Sequence, residues 1–323
     1  MNEFKTEDTI IVGAGPIGLA CAISAKRCGI NALVIDAGAV ADSIVRYPIG
    51  MGFFTTPELL EIGGHPFVAS GQKPTREEAL KYYRGVVRSE GIRVRPYTTL
   101  VNAQRTNDGI VCDLETETGP VQVRCKRLVL VTGYFGLPKL MDVPGESLPH
   151  VAHYFDEAHR NYGLDVVVIG GRNSAVEAAL ELFRAGANVT LVYRGTSFPP
   201  SVKYWVKPDI ENRIAAGEIA ARLGANVIHI GEDSVTIRDA NGTEETLHAD
   251  RVFALTGFLP DFDLFRRIGI QLEPDTELPS LDPATQETNV PGVYMAGSIV
   301  AGRFNSGIFI ENGRFDGDKI FAC

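Results

Sequence analysis

Two glycine-rich turns, each set directly after a short apolar run, constrain this chain more than any other feature. The first is Gly13-Ala14-Gly15-Pro16-Ile17-Gly18, after Thr9-Ile10-Ile11-Val12. The second is Gly170-Gly171-Arg172-Asn173-Ser174-Ala175, after Val166-Val167-Val168-Ile169. An apolar strand that ends in such a turn and opens a helix is the unit that holds the pyrophosphate of a dinucleotide. One copy is a weak signal. Two on one chain predict two bound nucleotides, and the usual chemistry of such a pair is electron transfer from a nicotinamide to a flavin.

The chain of 323 residues has room for two domains, each with its own core. Residues 9–36 read as strand, turn, helix and strand. The helix runs from Pro16, a favoured first helical residue, to about Cys28 and closes at Gly29. The next strand, Ala32-Leu33-Val34-Ile35, ends in Asp36. Residues 40–74 read as loop. Thr75-Arg76-Glu77-Glu78 reads as a capping box that opens a helix to about Glu90, with apolar spacing at Ala79, Tyr82, Tyr83, Val86 and Val87. Residues 92–132 read as a strand and an antiparallel meander that returns to the first sheet through Leu128-Val129-Leu130-Val131.

The same order follows the second turn: strand 165–169, a helix from Ser174 to Arg184, strand 188–193, a meander over 226–251, and strand 251–255. The predicted fold class is therefore α/β, with two Rossmann-like, three-layer (ββα) nucleotide-binding domains. The FAD-binding domain is discontinuous, over 1–144 and 259–323. The NADPH-binding domain, 145–258, is inserted through a hinge at Val143-Pro144-Gly145-Glu146. The last helix is expected from about Ser306.

Each fingerprint residue has a physical task. Gly13 permits the tight turn, Gly15 lets backbone approach the pyrophosphate, and Gly18 lets helix and strand pack closely. Pro16 starts the helix whose free N–H groups face the phosphates. Asp36, about twenty residues on, is placed to bind the ribose hydroxyls of FAD. The second site departs from this pattern. Arg172 replaces the middle glycine, where it either crowds or neutralises the pyrophosphate, with Gly170, Gly171, Asn173 and Ser174 around it. The strand end that matches Asp36 carries Tyr193-Arg194-Gly195. A carboxylate there would repel a 2′-phosphate, whereas Arg194 can bind one, so the second site favours NADPH. Lys203 is a further candidate for that phosphate. Thr132-Gly133, Thr256-Gly257 and Ala296-Gly297 are turns that let backbone pass close to a cofactor. A helix start at Gly307-Ile308-Phe309 presents N–H groups to the flavin ring. Tyr47 and Phe54 are candidates to line the flavin pocket.

A formal net charge of −9 argues against nucleic acid and anionic membranes as partners. No apolar run reaches the length of a membrane span, and no signal peptide is expected. The cysteines, Cys21, Cys28, Cys112, Cys125 and Cys323, show no metal-ligand spacing. This scattered set predicts a reducing, cytoplasmic setting.

These residues resemble the thioredoxin-reductase-like flavoproteins, and among them the bacillithiol disulfide reductase (YpdA-like) family. The resemblance extends over nearly the whole chain. It is carried by Gly13–Gly18, Tyr47-Pro48 with Phe53-Phe54, Leu60-Glu61-Ile62-Gly63 and Val143-Pro144-Gly145-Glu146. His153-Tyr154-Phe155, Val168–Ser174, Tyr193-Arg194-Gly195 and Phe309-Ile310-Glu311-Asn312-Gly313-Arg314-Phe315 complete it. It implies FAD in the first domain, NADPH in the second, a homodimer, and domain rotation during turnover. The implied acceptor is a small-molecule disulfide such as bacillithiol disulfide.

Two departures bear on that acceptor. The Cys-x-x-Cys pair of a thioredoxin reductase is absent; His150-Val151-Ala152-His153-Tyr154-Phe155-Asp156 stands in its region. The monothiol that the resemblance implies before the third fingerprint glycine is replaced by Ile17, which cannot attack a disulfide. Cys21 and Cys28 read as core thiols of the helix, and Cys112 and Cys125 as structural strand residues. Cys323, the last residue, is the remaining candidate thiol, set against its reading as an inert tail. A small electron-carrier protein, ferredoxin or flavodoxin, is therefore the alternative acceptor. His153 and His159 are candidate proton donors or plain surface residues, and Glu311 with Arg314 reads as an ion pair on the last helix.

Overall fold

The computed structural model describes residues 5–322. The chain forms two compact units. Unit 1 runs to Arg46, resumes over Gly50–Leu137, and resumes again from Phe258; unit 2 comprises Tyr47–Ile49 and Pro138–Gly257.

Unit 1 is built on strands β1 (Lys5–Val12), β2 (Ala32–Ile35), β3 (Val94–Arg95), β4 (Thr98–Thr106), β5 (Gly109–Thr116) and β6 (Gly119–Leu130), in the order β3-β2-β1-β6-β5-β4. A further strand, Val293–Met295, pairs in parallel with β6. The long β6 joins two kinds of pairing. Its first half is antiparallel to β5, and from Val123 onward it is parallel to β1. Strands buried on both faces read as continuous apolar runs. Ile10, Val12, Leu33, Ile35, Leu128 and Leu130 share one core with Phe265 and Met295. The alternate residues Ile11, Val34 and Val129 are equally buried.

Helix α1 (Pro16–Arg27) starts on its proline, carries Lys26 and Arg27 in its last turn, and is followed by Gly29 at φ +70°. The helix Arg76–Glu90 has both halves of its capping box: Thr75 accepts from Glu78 N–H, and the Glu78 carboxylate accepts from Thr75 N–H. Its buried face is Ala79, Tyr83 and Val86.

Unit 2 contains a five-stranded parallel sheet in the order Ala220–Leu223, Asn188–Tyr193, Asp165–Ile169, Arg251–Ala254, Val151–Ala152. Its faces are covered differently. Val166 and Val168 pack against Val176, Ala179 and Leu180 of helix Asn173–Arg184. Val167 and Ile169 pack against Val235 and Ile237 of the antiparallel meander Asn226–Ile230, Ser234–Arg238, Glu244–His248. Helix, parallel sheet and meander are the expected three layers.

Two expectations are corrected. The stretch read as a hinge, Val143–Glu146, lies inside unit 2 as a folded turn. The carbonyl of Pro144 accepts from Ile230 N–H at 2.9 Å, and Glu146 accepts from the N–H groups of Met141 and Asp142. The last helix is not continuous from Ser306. Gly297–Gly307 is a kinked 3-10 segment, followed by the short helices Ile310–Gly313 and Asp316–Ile320. Gly302 breaks the helical path at φ +55°, where a Cβ would stand 2.4 Å from Thr276 O. Among the described residues, no helix is long and apolar enough to cross a membrane.

Candidate functional site

The first cradle forms because four parallel strands end in register. Val12, Ile35, Leu130 and Met295 are aligned by pairing, so Gly13, Asp36, Val131-Thr132 and Ala296-Gly297 all emerge at one edge. This is the carboxyl-end crevice where α/β sheets bind ligands. Gly13 has φ +119°, and a Cβ there would lie 2.2 Å from Val131 O, so only glycine fits. A Cβ on Gly18 would lie 1.9 Å from Gly13 O, which makes it the close contact between helix and turn. Gly15 differs from both. It is extended (φ −71°), caps α1 with no side-chain partner, and has nothing within 4 Å of a built Cβ. The helix N–H groups and the space before them are thus left to a ligand.

Asp36 holds the turn from below. Its carboxylate accepts from Ala14 N–H at 2.6 Å and from Gly38 N–H at 2.8 Å. Burial pushes its pKa above the usual range, and these two N–H groups pull it back. A carboxylate has further lone pairs, so ribose hydroxyls can still donate to it. Thr132 Oγ1 is buried without a hydrogen-bond partner, and Gly133 follows at φ +65° with open space beside it. A buried orphan hydroxyl beside an open cradle fits a polar ligand. Gly297, at φ +73°, donates its N–H to the buried carboxylate of Asp316 at 2.8 Å. Ile308 is half-buried just ahead of Ile310–Gly313. Tyr47–Ile49 groups with unit 2, where Ile49 N–H donates to Asp156 O.

The second cradle follows the same register rule, with Ile169 aligned to Val192 and Ala254. Gly170 has φ +142°, and its Cβ would lie 2.6 Å from Leu255 O. Cβ atoms on Gly171 and Gly195 would stand 2.4 and 2.5 Å from the Tyr193 ring. That ring therefore occupies a slot between two glycines, a contact invisible in the motif. Arg172 is the extended N-cap of helix Asn173–Arg184, and it and Ser174 are exposed. Asn173 works as a clamp: its amide donates to Ser201 O at 3.1 Å and its carbonyl oxygen accepts from Lys203 N–H at 2.9 Å. Lys203 Nζ pairs with Glu177, which a phosphate would have to displace. Arg194 is exposed, and neither it nor Arg172 makes an ion pair among the described residues.

Ile17 fills a slot in unit 1. Built Cβ atoms on Gly297 and Gly313 would come within 3.0 and 2.6 Å of its Cδ1, so the missing side chains make room for it. The nearby thiol, Cys21, is fully buried under Gly317, whose Cβ would lie 2.8 Å from Cys21 Cα. Burial, with Asp316 and Asp318 near, pushes the Cys21 thiol far up. Cys112 and Cys125 stand 3.9 Å apart between β5 and β6, both buried, and their contact and burial raise Cys112. Cys28, expected as a core thiol, is instead half-buried and disulfide-bonded, and Cys323 lies outside the described residues. A thiol kept neutral and away from solvent is unreactive. In native protein treated with iodoacetamide, Cys21, Cys112 and Cys125 are therefore expected to stay unmodified by mass spectrometry until denaturant is added. Native labelling of any of them would contradict this burial.

His153 Nδ1 is 3.3 Å from Ala254 O, and His159 begins the 3-10 turn His159–Asn161. Arg314 does not pair with Glu311. Its guanidinium donates to the carbonyls of Glu58 and Glu61 at 2.9 and 2.6 Å, which closes the end of helix Pro57–Leu60.

Comparison with known proteins agrees with this geometry. The family described as pyridine nucleotide-disulphide oxidoreductase matches residues 10–297. A bacilliredoxin reductase Bdr of Bacillus subtilis is 44% identical over 98% of this chain and 97% of its own length. The bacillithiol disulfide reductase Bdr (YpdA) of Bacillus cereus superposes with a TM-score of 0.95 at 42% identity, covering 98% of both chains. A thioredoxin reductase of T. acidophilum, at 21% identity and a TM-score of 0.75 over 98% of this chain and 97% of its own, shares the fold. Two dinucleotide cradles on this fold define an oxidoreductase that works with a flavin and a pyridine nucleotide. The chain belongs to the pyridine nucleotide-disulphide oxidoreductase family, in its bacillithiol disulfide reductase (YpdA-like) branch.

Proposed function

We propose that this enzyme passes hydride from NADPH to FAD and delivers the electrons to a low-molecular-weight disulfide such as bacillithiol disulfide. The observation that carries the cofactor assignment is the contrast in charge between the cradles. The first ends in the carboxylate Asp36, which suits ribose hydroxyls; the second carries Arg194 after the matching strand end, which suits a 2′-phosphate, and Arg172 at the helix start, which suits the pyrophosphate, with no ion pair to either among the described residues. In this reading Gly13, Gly15, Pro16, Gly18, Asp36, Thr132, Gly133, Gly297 and Ile308 hold FAD. Gly170, Gly171, Arg172, Ser174 and Arg194 hold NADPH, while Asn173 positions the 201–203 segment beside it. A bound flavin supplies two-electron chemistry: it accepts a hydride and reduces one disulfide to two thiols, with protons from solvent. The chain's own part is to position the partners and fix the charge around them.

The acceptor is supported by likeness to the two Bdr proteins over almost the whole chain. A homodimer in the cytoplasm belongs to the same proposal, supported by the family resemblance. A second reading is favoured by one observation. Ile17 occupies the position where the resemblance implies a thiol, and Cys21, one turn along the same helix, is fully buried with its thiol pushed far up. Direct electron transfer to a ferredoxin or flavodoxin needs no thiol. NADPH consumption measured anaerobically, with bacillithiol disulfide as sole acceptor, decides between them. Sustained turnover is expected. A single reduction of flavin that then stalls, with turnover restored by ferredoxin, would replace the first reading by the second.

A further inference from the structure

A cluster of ligating side chains lies at the opposite edge of the unit 2 sheet from its nucleotide cradle. Asp165 opens the strand Asp165–Ile169, Asp250 immediately precedes the strand Arg251–Ala254, and His248 ends the meander strand Glu244–His248. Gly170 is at the other end of that five-residue strand, about 15 Å away. The cluster therefore lies outside the machinery described above.

Its geometry is held from two sides. Asp165 and Asp250 are locked reciprocally: Asp250 N–H donates to Asp165 O at 2.8 Å, and Asp165 N–H donates to Asp250 Oδ2 at 2.8 Å. This leaves Asp250 Oδ1 facing inward. The imidazole is fixed from outside the cluster. His248 Nδ1 stands 2.9 Å from the carbonyl oxygen of Asp233, which also accepts from Ala249 N–H. A carbonyl only accepts, so Nδ1 carries the hydrogen and Nε2 is turned to the two carboxylates. Nε2 lies 3.6 Å from Asp250 Oδ1 and 3.8 Å from Asp165 Oδ2, beyond hydrogen-bonding distance in both cases. All three donor atoms lie within 4.8 Å of one another.

These spacings suit an ion at the centre better than direct contact. A tetrahedral cation with bonds of about 2.0–2.1 Å separates its ligand atoms by about 3.3 Å. The His248 nitrogen needs to close on each carboxylate by only a few tenths of an ångström, and the two carboxylate oxygens already lie within 4.8 Å of each other. One imidazole nitrogen and two carboxylates balance a divalent charge, and the set suits the borderline cations, with water completing the shell. The Asp233 carbonyl supplies the outer hydrogen bond that orients a metal-bound histidine.

We propose that Asp165, His248 and Asp250 form a binding site for a divalent transition-metal cation of the Zn²⁺ class. The ion ties the end of the meander to the start of the parallel sheet. Sequence spacing does not show it, because Asp165 is distant along the chain from His248-Ala249-Asp250.

Calorimetric titration of the chelator-treated, flavin-loaded protein with ZnCl2 tests the site. One equivalent is expected to bind, and H248A and D250N are each expected to weaken it by at least about tenfold. H229A is expected to bind as wild type. The side chains of His248 and Asp250 are exposed, and an Asn at 250 still offers an oxygen to Asp165 N–H, so both variants should keep the wild-type flavin spectrum. Absence of binding heat in the wild type would overturn the proposal. So would unchanged affinity in both H248A and D250N, which would place the ion elsewhere.

Discussion

Gly15→Glu gives a folded but colourless protein. Gly15 has ordinary extended backbone and nothing within 4 Å of a built Cβ, so a side chain can start there without backbone strain or a clash at its first atom. It enters the space that the free N–H groups of α1 face, where the dinucleotide pyrophosphate is expected. A carboxylate at that point both fills the space and repels the phosphates at close range. The expected result is loss of essentially all visible flavin absorbance from the purified protein, with far-UV circular dichroism unchanged. Surface changes without core contacts cost no more than about 0.5 kcal/mol of stability. Gly18→Ala is the contrast that makes this diagnostic. A Cβ at Gly18 would stand 1.9 Å from Gly13 O, so that variant is expected to lose about 1–3 kcal/mol or more by overpacking and to melt early. If Gly15→Glu stays yellow at the wild-type flavin content, the first cradle is not the flavin site.

What could be read from the sequence is what backbone geometry demands locally. Gly13 and Gly170 were legible because the turn after a strand needs φ values of +119° and +142° that only glycine adopts without strain. The Thr75–Glu78 box was legible because capping satisfies specific N–H groups within one turn. The site's supports were not. The bond from Gly297 N–H to Asp316 joins residues whose spacing carries no pattern. The Tyr193 ring needs both Gly171 and Gly195, brought together only when the strand and the turn pack. Arg314 was read as a helical partner of Glu311, but the segment is broken into short pieces. Its guanidinium then reaches carbonyls more than 250 residues earlier in the chain, where an uncapped helix end presents acceptors. Periodicity reports which face is apolar; it does not report which distant backbone group is left unsatisfied.

Arg194→Ala is expected to weaken NADPH while leaving NADH nearly unchanged. The two nucleotides differ only by the 2′-phosphate, so this comparison isolates the group that the arginine is proposed to bind. Arg194 follows the strand end that matches Asp36 in the first cradle, and it makes no competing ion pair among the described residues. Lys203 is a weaker candidate, because its ammonium group pairs with Glu177. A charge-assisted bond to phosphate at such a site contributes about 1–3 kcal/mol, or roughly tenfold to a hundredfold in Kd. Solvent exposure places the effect toward the lower end, and raised salt should shrink it. Kd values for both nucleotides, from flavin-independent calorimetry, give the answer. Arg172→Ala separates the two cations. Arg172 is the extended N-cap of its helix, at the pyrophosphate position, so its loss should weaken NADPH and NADH alike. Equal losses of both nucleotides in Arg194→Ala would show that it too binds the shared part of the cofactor. The preference for NADPH would then rest on a residue outside the strand end.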